Sequence, residues 1–265
     1  MQITTQPSSI PISNAKASFR PWLMLISRSV LFILFQALIA LILFATGTTS
    51  AWNESARWWT FTAFLTNFVS IYLLVRLYNA EGKGYFDVIH FSRETWKKDL
   101  AWFFGTSLIG LPIGALPMTA LAAAFFGDAM IPTTMMFRPL PTWAFILSFL
   151  FPLTIAFAEL PTYFGYVMPR LEARLKNGWL AWLIASFFLG AQHMFLPLIL
   201  DGRFILWRLG MYLPFALFVG LVIKLRPTLL PLLNDPPCID GSLGCCCLFD
   251  DITRLFLNRT DLSLC

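Results

Sequence analysis

Charge is what this sequence has least of. Asp, Glu, Lys and Arg make up 12% of its 265 residues, about half of the quarter usual in soluble domains. With 58% hydrophobic residues, 27 Phe and 10 Trp, the chain has too few polar side chains to cover a water-soluble fold of this size. An ordinary soluble enzyme and a disordered protein are therefore excluded. Cysteine is missing before residue 238, which excludes a disulfide-stapled secreted module. Basic runs with interleaved aromatics are missing too, so the net charge of +5 does not point to nucleic acid. The basic residues sit between apolar runs, where the anionic lipids of a membrane's inner surface account for them.

What is present is a series of long apolar runs. They cover residues 22–46, 58–77, 102–126, 143 to beyond Glu159, 179–200 and 204–223. Each is about 20 residues or longer, enough for roughly 30 Å of hydrocarbon. Strict two-residue alternation is absent, and an open sheet cannot sit in lipid. The expectation is an all-α, polytopic transmembrane helical bundle with six spans, plus a truncated or altered seventh. Several runs open with Trp, as an interfacial aromatic belt would have it. The first run is longer than a signal peptide's apolar core and lacks a clean cleavage site.

Basic residues then set the orientation. With a cytoplasmic N-terminus, twelve Lys and Arg face inward against four outward, namely Arg57, Arg138, Arg203 and Arg208. That asymmetry favours six spans with both ends inside in an integral membrane protein. Arg28, about one turn into the first span, is expected to snorkel to the inner surface. Residues 79–100 mix charges with Tyr85, Phe86, Ile89, Phe91 and Trp96 and read as an amphipathic helix on the inner leaflet, with His90 an ordinary interfacial residue.

Four regions follow. Residues 1–20 are a polar, flexible N-terminal tail. Residues 21–142 hold the N-terminal transmembrane helices with the interfacial helix. Residues 143–233 form a core described below. Residues 234–265 are an atypical Cys-rich tail carrying Cys238, Cys245, Cys246, Cys247 and Cys265. Three adjacent cysteines fit no common zinc spacing. Palmitoylated, metal-binding and disordered tails compete with a further reading: an out-of-frame tail replacing a seventh helix that begins as Arg226-Pro227-Thr228-Leu229-Leu230-Pro231-Leu232-Leu233 and is cut short at Asn234-Asp235-Pro236-Pro237. An apolar helix encoded in another frame there is the observation that decides it.

Ionisable groups inside spans cost about 2.5–3.5 kcal/mol each on insertion scales, so each asks for a reason. Glu159 and His193 are the acid and the histidine that lie well inside. Asn177-Gly178 between them is a strong turn signal. Glu159 lies 18 residues before Asn177 and His193 lies 15 after Gly178, roughly 27 and 23 Å from the turn on two antiparallel helices. Their side chains are therefore expected at nearly one depth. Pro161 and Gly165 are placed to kink the helix and open a wet cavity. Such a pair either activates a water, with Glu159 as general base and His193 orienting it or binding a metal, or satisfies itself by a hydrogen bond.

The sequence has no His-Glu-x-x-His, no Gly-x-Ser-x-Gly elbow, no P-loop and no Gly-x-Gly-x-x-Gly. The stretch Ala158-Glu159-Leu160-Pro161-Thr162-Tyr163-Phe164-Gly165-Tyr166-Val167-Met168-Pro169-Arg170-Leu171-Glu172 nevertheless resembles the first motif region of the CPBP family, the CAAX prenyl protease and bacteriocin-processing intramembrane proteases. That motif is Glu-Glu-x-x-x-Arg followed by Gly and a Pro-Arg-Leu-Glu-like segment. Leu189-Gly190-Ala191-Gln192-His193 resembles the second, Phe-x-x-x-His. Leu160, Phe164 and Leu189 stand where the family has Glu, Arg and Phe. The third motif, His-x-x-x-Asn or Asp, would fall near Pro236, where the chain has left the pattern.

The resemblance covers residues 143–233 and implies a membrane endopeptidase, a metalloprotease-like hydrolase. Glu159 and His193 would be its catalytic residues and the protein ligands of a divalent metal such as zinc. The implied substrate is a prenylated C-terminus, a leader peptide or a membrane protein. Asn67 of the second span is a candidate supporting side chain. Two other readings stand beside it: a non-catalytic bundle that binds peptide or lipid, and a small proton-coupled transporter.

Overall fold

The structure, a computed structural model, describes residues 19–86 and 96–230. Every regular element among them is helical. The expectations for His90, for most of the N-terminal tail, for the centre of the 79–100 segment and for the cysteine tail lie outside the described residues.

Helix α1 (Arg20–Ala45) opens with Pro21 in its first turn, where proline's missing N–H costs nothing. A tight turn leads through α2 (Ala51–Ser55) into α3 (Trp59–Asn79). Helix α4 (Trp96–Phe126) carries Pro112 and Pro117 in its interior. Two short helices, α5 (Ile131–Met136) and α6 (Thr142–Ser148), precede α7 (Leu150–Leu160). The helix then widens to π geometry over Pro161–Val167 and tightens again as α8 (Met168–Leu175). Pro161, which cannot donate a backbone bond, sits at the first π residue. The kink expected at Pro161 and Gly165 thus takes the form of a π segment.

Lys176 adopts the left-handed conformation (φ 53°) after α8. Asn177 then accepts from the N–H groups of Trp179 and Leu180, capping α9 (Gly178–Ala191). Asn177-Gly178 is therefore the turn of a helical hairpin. Helix α9 is 14 residues long, about 21 Å. A 3-10 turn, Gln192–Phe195, follows it. Asp201 caps α10 (Gly202–Leu225) in the same way as Asn177 caps α9.

Five helical stretches are long and apolar enough to cross a membrane: Arg20–Ala45, Ala51–Asn79, Lys97–Phe126, Thr142–Leu175 and Gly202–Leu225. This is the make-up of an integral membrane protein. The run expected as a fifth span of six, 179–200, is not one continuous helix, because helical geometry stops at Ala191 and the chain turns through residues 192–201. Exposed side chains on α1 (Leu23, Ile26, Val30, Leu34, Leu38 and Leu41) form an apolar outer face. Its inner face has Arg28, Phe32, Gln36 and Ala40, four residues apart.

Helix α10 packs against α4 and α9, α3 against α7, α8 against α9, and α1 against α3 and the π segment. The interior divides into two apolar clusters. One gathers Met24, Leu25, Leu74, Tyr163, Ala185 and Val219. The other gathers Phe32, Ala63, Phe151, Phe204, Trp207 and Met211. Following α1, α3 and α7, a polar layer falls at the boundary: Arg28 on α1, Thr66, Asn67 and Ser70 on α3, and Glu159 on α7, all buried.

Two expectations about basic residues are corrected here. Arg28 does not snorkel outward; it is 1% exposed and bonded inside the bundle. Arg208, placed among the outward charges, is 2% exposed and reaches backbone carbonyls inside. Long-range partners override both readings: a guanidinium that finds oxygen acceptors in the interior need not reach the interface. Within the 79–100 segment, Tyr85 is buried and its hydroxyl donates to the Phe157 carbonyl. Loss of water around the ring pushes the Tyr85 phenol above its ordinary range.

Candidate functional site

Glu159 is the tenth residue of α7, two residues before the π segment begins at Pro161. His193 is the second residue of the 3-10 turn that ends α9. The hairpin brings them together: His193 Nε2 lies 3.6 Å from Glu159 Oε1. Similar counts on either side of the turn, 18 and 15 residues, bring them to nearly the same level.

Two contacts fix the imidazole and a third fixes its backbone. Its Nδ1 is 3.0 Å from the Leu189 carbonyl. A carbonyl only accepts, so Nδ1 carries the proton and donates. The ring stacks on Tyr212, 3.6 Å between centroids and 12° from parallel. Arg208 Nε donates to the His193 carbonyl at 3.0 Å, and its Nη2 donates to that of Leu196. In the neutral ring Nε2 is then a lone pair facing a carboxyl oxygen. At 3.6 Å the two atoms are too far apart for a direct hydrogen bond, and a small donor beside the pair can reach both.

The carboxyl group is held from the other side. Gln192 Nε2 donates to Glu159 Oε1. Gln192 Oε1 accepts from Arg28 Nε at 2.9 Å and from the Tyr163 hydroxyl at 3.2 Å. Arg28 Nη1 reaches Ser70 Oγ at 3.3 Å. Four elements thus meet at one carboxylate: α1 through Arg28, α3 through Ser70, the α7 and π stretch, and the 3-10 turn.

The chain after Phe195 leaves helical geometry, so its backbone needs partners from elsewhere. Gln36 supplies two, donating to the Leu198 carbonyl at 3.0 Å and accepting from its N–H at 2.7 Å. Trp52 Nε1 also donates to the Leu198 carbonyl at 3.2 Å. Arg208 covers His193 and Leu196. Residues that read as isolated polar intrusions in apolar runs are therefore the support of an irregular segment.

Asn67 lies elsewhere in the polar layer. Its Nδ2 donates to Thr154 Oγ1 at 3.0 Å, and no hydrogen bond to Glu159 or His193 is found. The non-matching motif positions are apolar packing: Leu160, Phe164 and Leu189 are all buried in one cluster. Sequence reasoning missed Arg28, Gln192, Tyr163, Arg208 and Gln36. The signal for Arg28 and Arg208 was the cost of a buried charge, which the interface reading leaves out; Gln36, a lone polar residue in the first apolar run, carried the same signal. Gln192 was passed over as a neighbour of His193.

A catalytic zinc normally takes three protein donors. No group of three His, Cys, Asp or Glu side chains occurs among the described residues. The pair supplies two, and the nearest other groups, Gln192 Nε2 and the guanidiniums, are hydrogen-bond donors that cannot ligate. The described residues therefore supply two of the three donors such a site takes. No family model matches the chain, and no curated protein or solved structure matches it.

Proposed function

We propose that the chain is an intramembrane endopeptidase of the CPBP type, with Glu159 as general base and His193 as the partner that orients the attacking water. The observation that carries the reading is the 3.6 Å approach of His193 Nε2 to Glu159 Oε1 within a buried polar layer. A water there donates one hydrogen to Nε2 and one to the carboxylate. Glu159 takes the latter proton as the water oxygen adds to the scissile carbonyl carbon. It then returns the proton to the departing amine as the C–N bond breaks. The stacked, backbone-anchored ring of His193 keeps the lone pair aimed, so little reorganisation is needed at the moment of reaction.

The substrate class of this reading is a prenylated C-terminal peptide, a leader peptide or a membrane protein segment. Its topology is six crossings with the N-terminus cytoplasmic in a bacterial plasma membrane, α9 and the 3-10 turn forming the fifth. Together those two pieces rise about 29 Å, close to a hydrocarbon thickness. Incubating the detergent-purified chain with peptides of the three classes, followed by mass spectrometry, tests it. Cleavage is expected from at least one class and is lost on His193→Ala. Equal cleavage by His193→Ala defeats the assignment.

One observation favours a second reading, a non-catalytic bundle. Glu159 already accepts a hydrogen bond from Gln192, so the pair also serves as a structural junction. That reading predicts lower stability on Glu159→Ala and no cleavage by the native chain.

A further inference from the structure

The Gln192 side chain touches Glu159, Arg28 and Tyr163 at once. An amide can be turned either way, and here its partners decide. Arg28 Nε and the Tyr163 hydroxyl both point donors at one atom, and only the amide oxygen accepts. The amide nitrogen is thereby forced toward Glu159, where it donates to Oε1. That same oxygen is the one facing His193 Nε2 at 3.6 Å.

Gln192 and His193 are consecutive in the 3-10 turn, so one short piece of backbone aims two side chains at one carboxyl oxygen. The first is a donor in direct contact. The second is an acceptor 3.6 Å from that oxygen, so a water bonded to both sits beside the pair. The Gln192 bond holds Oε1 on the side of the carboxyl group that faces His193.

We propose that Gln192 is a positioning residue that locks the carboxylate of Glu159 in the orientation holding water against His193, and that Arg28 and Tyr163 lock Gln192 in turn. The catalytic meaning of this lock rests on the protease reading; the lock itself does not. Arg28 comes from α1, outside the stretch that carries the motif resemblance. The first helix is on this account part of the site rather than scaffolding around it. Arg28 is held additionally by Ser70 of α3 at 3.3 Å, so helices α1 and α3 both bear on the angle of one carboxyl group.

Two variants test the lock. Gln192→Leu removes the donor at similar volume. Tyr163→Phe removes one of the two bonds that orient the amide and leaves its packing intact. Infrared difference spectra against Glu159→Gln identify the Glu159 carboxyl band in each background, and thermal unfolding confirms that each variant is folded. The band is expected to shift in Gln192→Leu, and by less in Tyr163→Phe. Where cleavage is measured, Gln192→Leu is expected to lower kcat about 10- to 100-fold, the range for residues that orient a catalytic group, with KM little changed. A merely structural glutamine would lower stability and leave the band and kcat in place. If Gln192→Leu does not fold, the Tyr163→Phe band decides. An unmoved Glu159 band in a folded variant overturns the lock. A shifted band in a chain that cleaves nothing upholds the lock and overturns the protease reading instead.

Discussion

Helices α9 and α10 approach closely beside the site, and Gly190 is the point of contact. A Cβ built there would lie 3.0 Å from Leu213 Cα and 3.3 Å from Leu213 N. Comfortable carbon contacts begin nearer 3.5 Å, and a backbone atom cannot swing aside as a side-chain tip can. Gly190→Ala must therefore push α9 from α10, two residues before Gln192. Overpacking of this kind costs about 1–3 kcal/mol. Alanine also improves helix propensity by roughly 0.8–1.0 kcal/mol, which would mask part of the loss. Gly105 in α4 provides the control, since a Cβ there meets nothing within 4 Å. The propensity gain is common to both variants, so their difference isolates the packing cost. Gly105→Ala should be neutral to stabilising, and Gly190→Ala less stable than it by about 1–3 kcal/mol. By the scaling for domains of this size, that is a gap of roughly 2–12 °C in Tm in detergent. Equal shifts of the same sign in the two variants would refute the close approach.

Two further outcomes follow from the supports of the irregular segment and of α10. Arg208→Met removes guanidinium bonds to the His193 and Leu196 carbonyls, and hydrogen bonds from charged donors contribute about 1.5–3 kcal/mol each. Arg208→Lys, lacking the planar fork, should restore only part of the loss; a steric-trap unfolding measurement within about 0.5 kcal/mol of the native value for Arg208→Met would contradict this. The second outcome concerns Asp201. Its hydrogen bond with Arg203, together with bonds from the α10 backbone, holds its carboxyl below the usual range. A carboxylate depressed in the folded state stabilises fully above its unfolded value and loses that contribution as pH falls through the folded one. Acid melting curves should therefore steepen for the native chain and flatten for Asp201→Asn, which keeps an N-cap without the titration.

How legible all this was depends on the range of the interaction. The apolar runs were read from composition alone, since lipid demands them locally. Glu159 and His193 could be placed level because a hairpin turn at Asn177-Gly178 lets residues be counted outward from it. The partners of that pair could not. Arg28 meets Gln192 across 164 positions and Gln36 meets Leu198 across 162, distances over which no periodicity carries information. The break in the run 179–200 was hidden for a related reason. Hydropathy records that Leu196, Pro197 and Leu198 are apolar, and is silent on Gln36, Trp52 and Arg208 meeting the backbone there. At Pro161 the sequence announced a disturbance in the helix, because proline removes a backbone donor, but residue types do not say that the helix widens to π geometry over Pro161–Val167.

The account's central claim is that Glu159 draws a proton from water to break a peptide bond. Cleavage in heavy-oxygen water, read by mass spectrometry for the native chain and for Glu159→Gln, tests it most directly. The native chain should place one heavy oxygen in each new carboxylate, and Glu159→Gln should fall by about 10²- to 10⁴-fold, the contribution of a general base. Undiminished cleavage by Glu159→Gln, or products without the label, would contradict it.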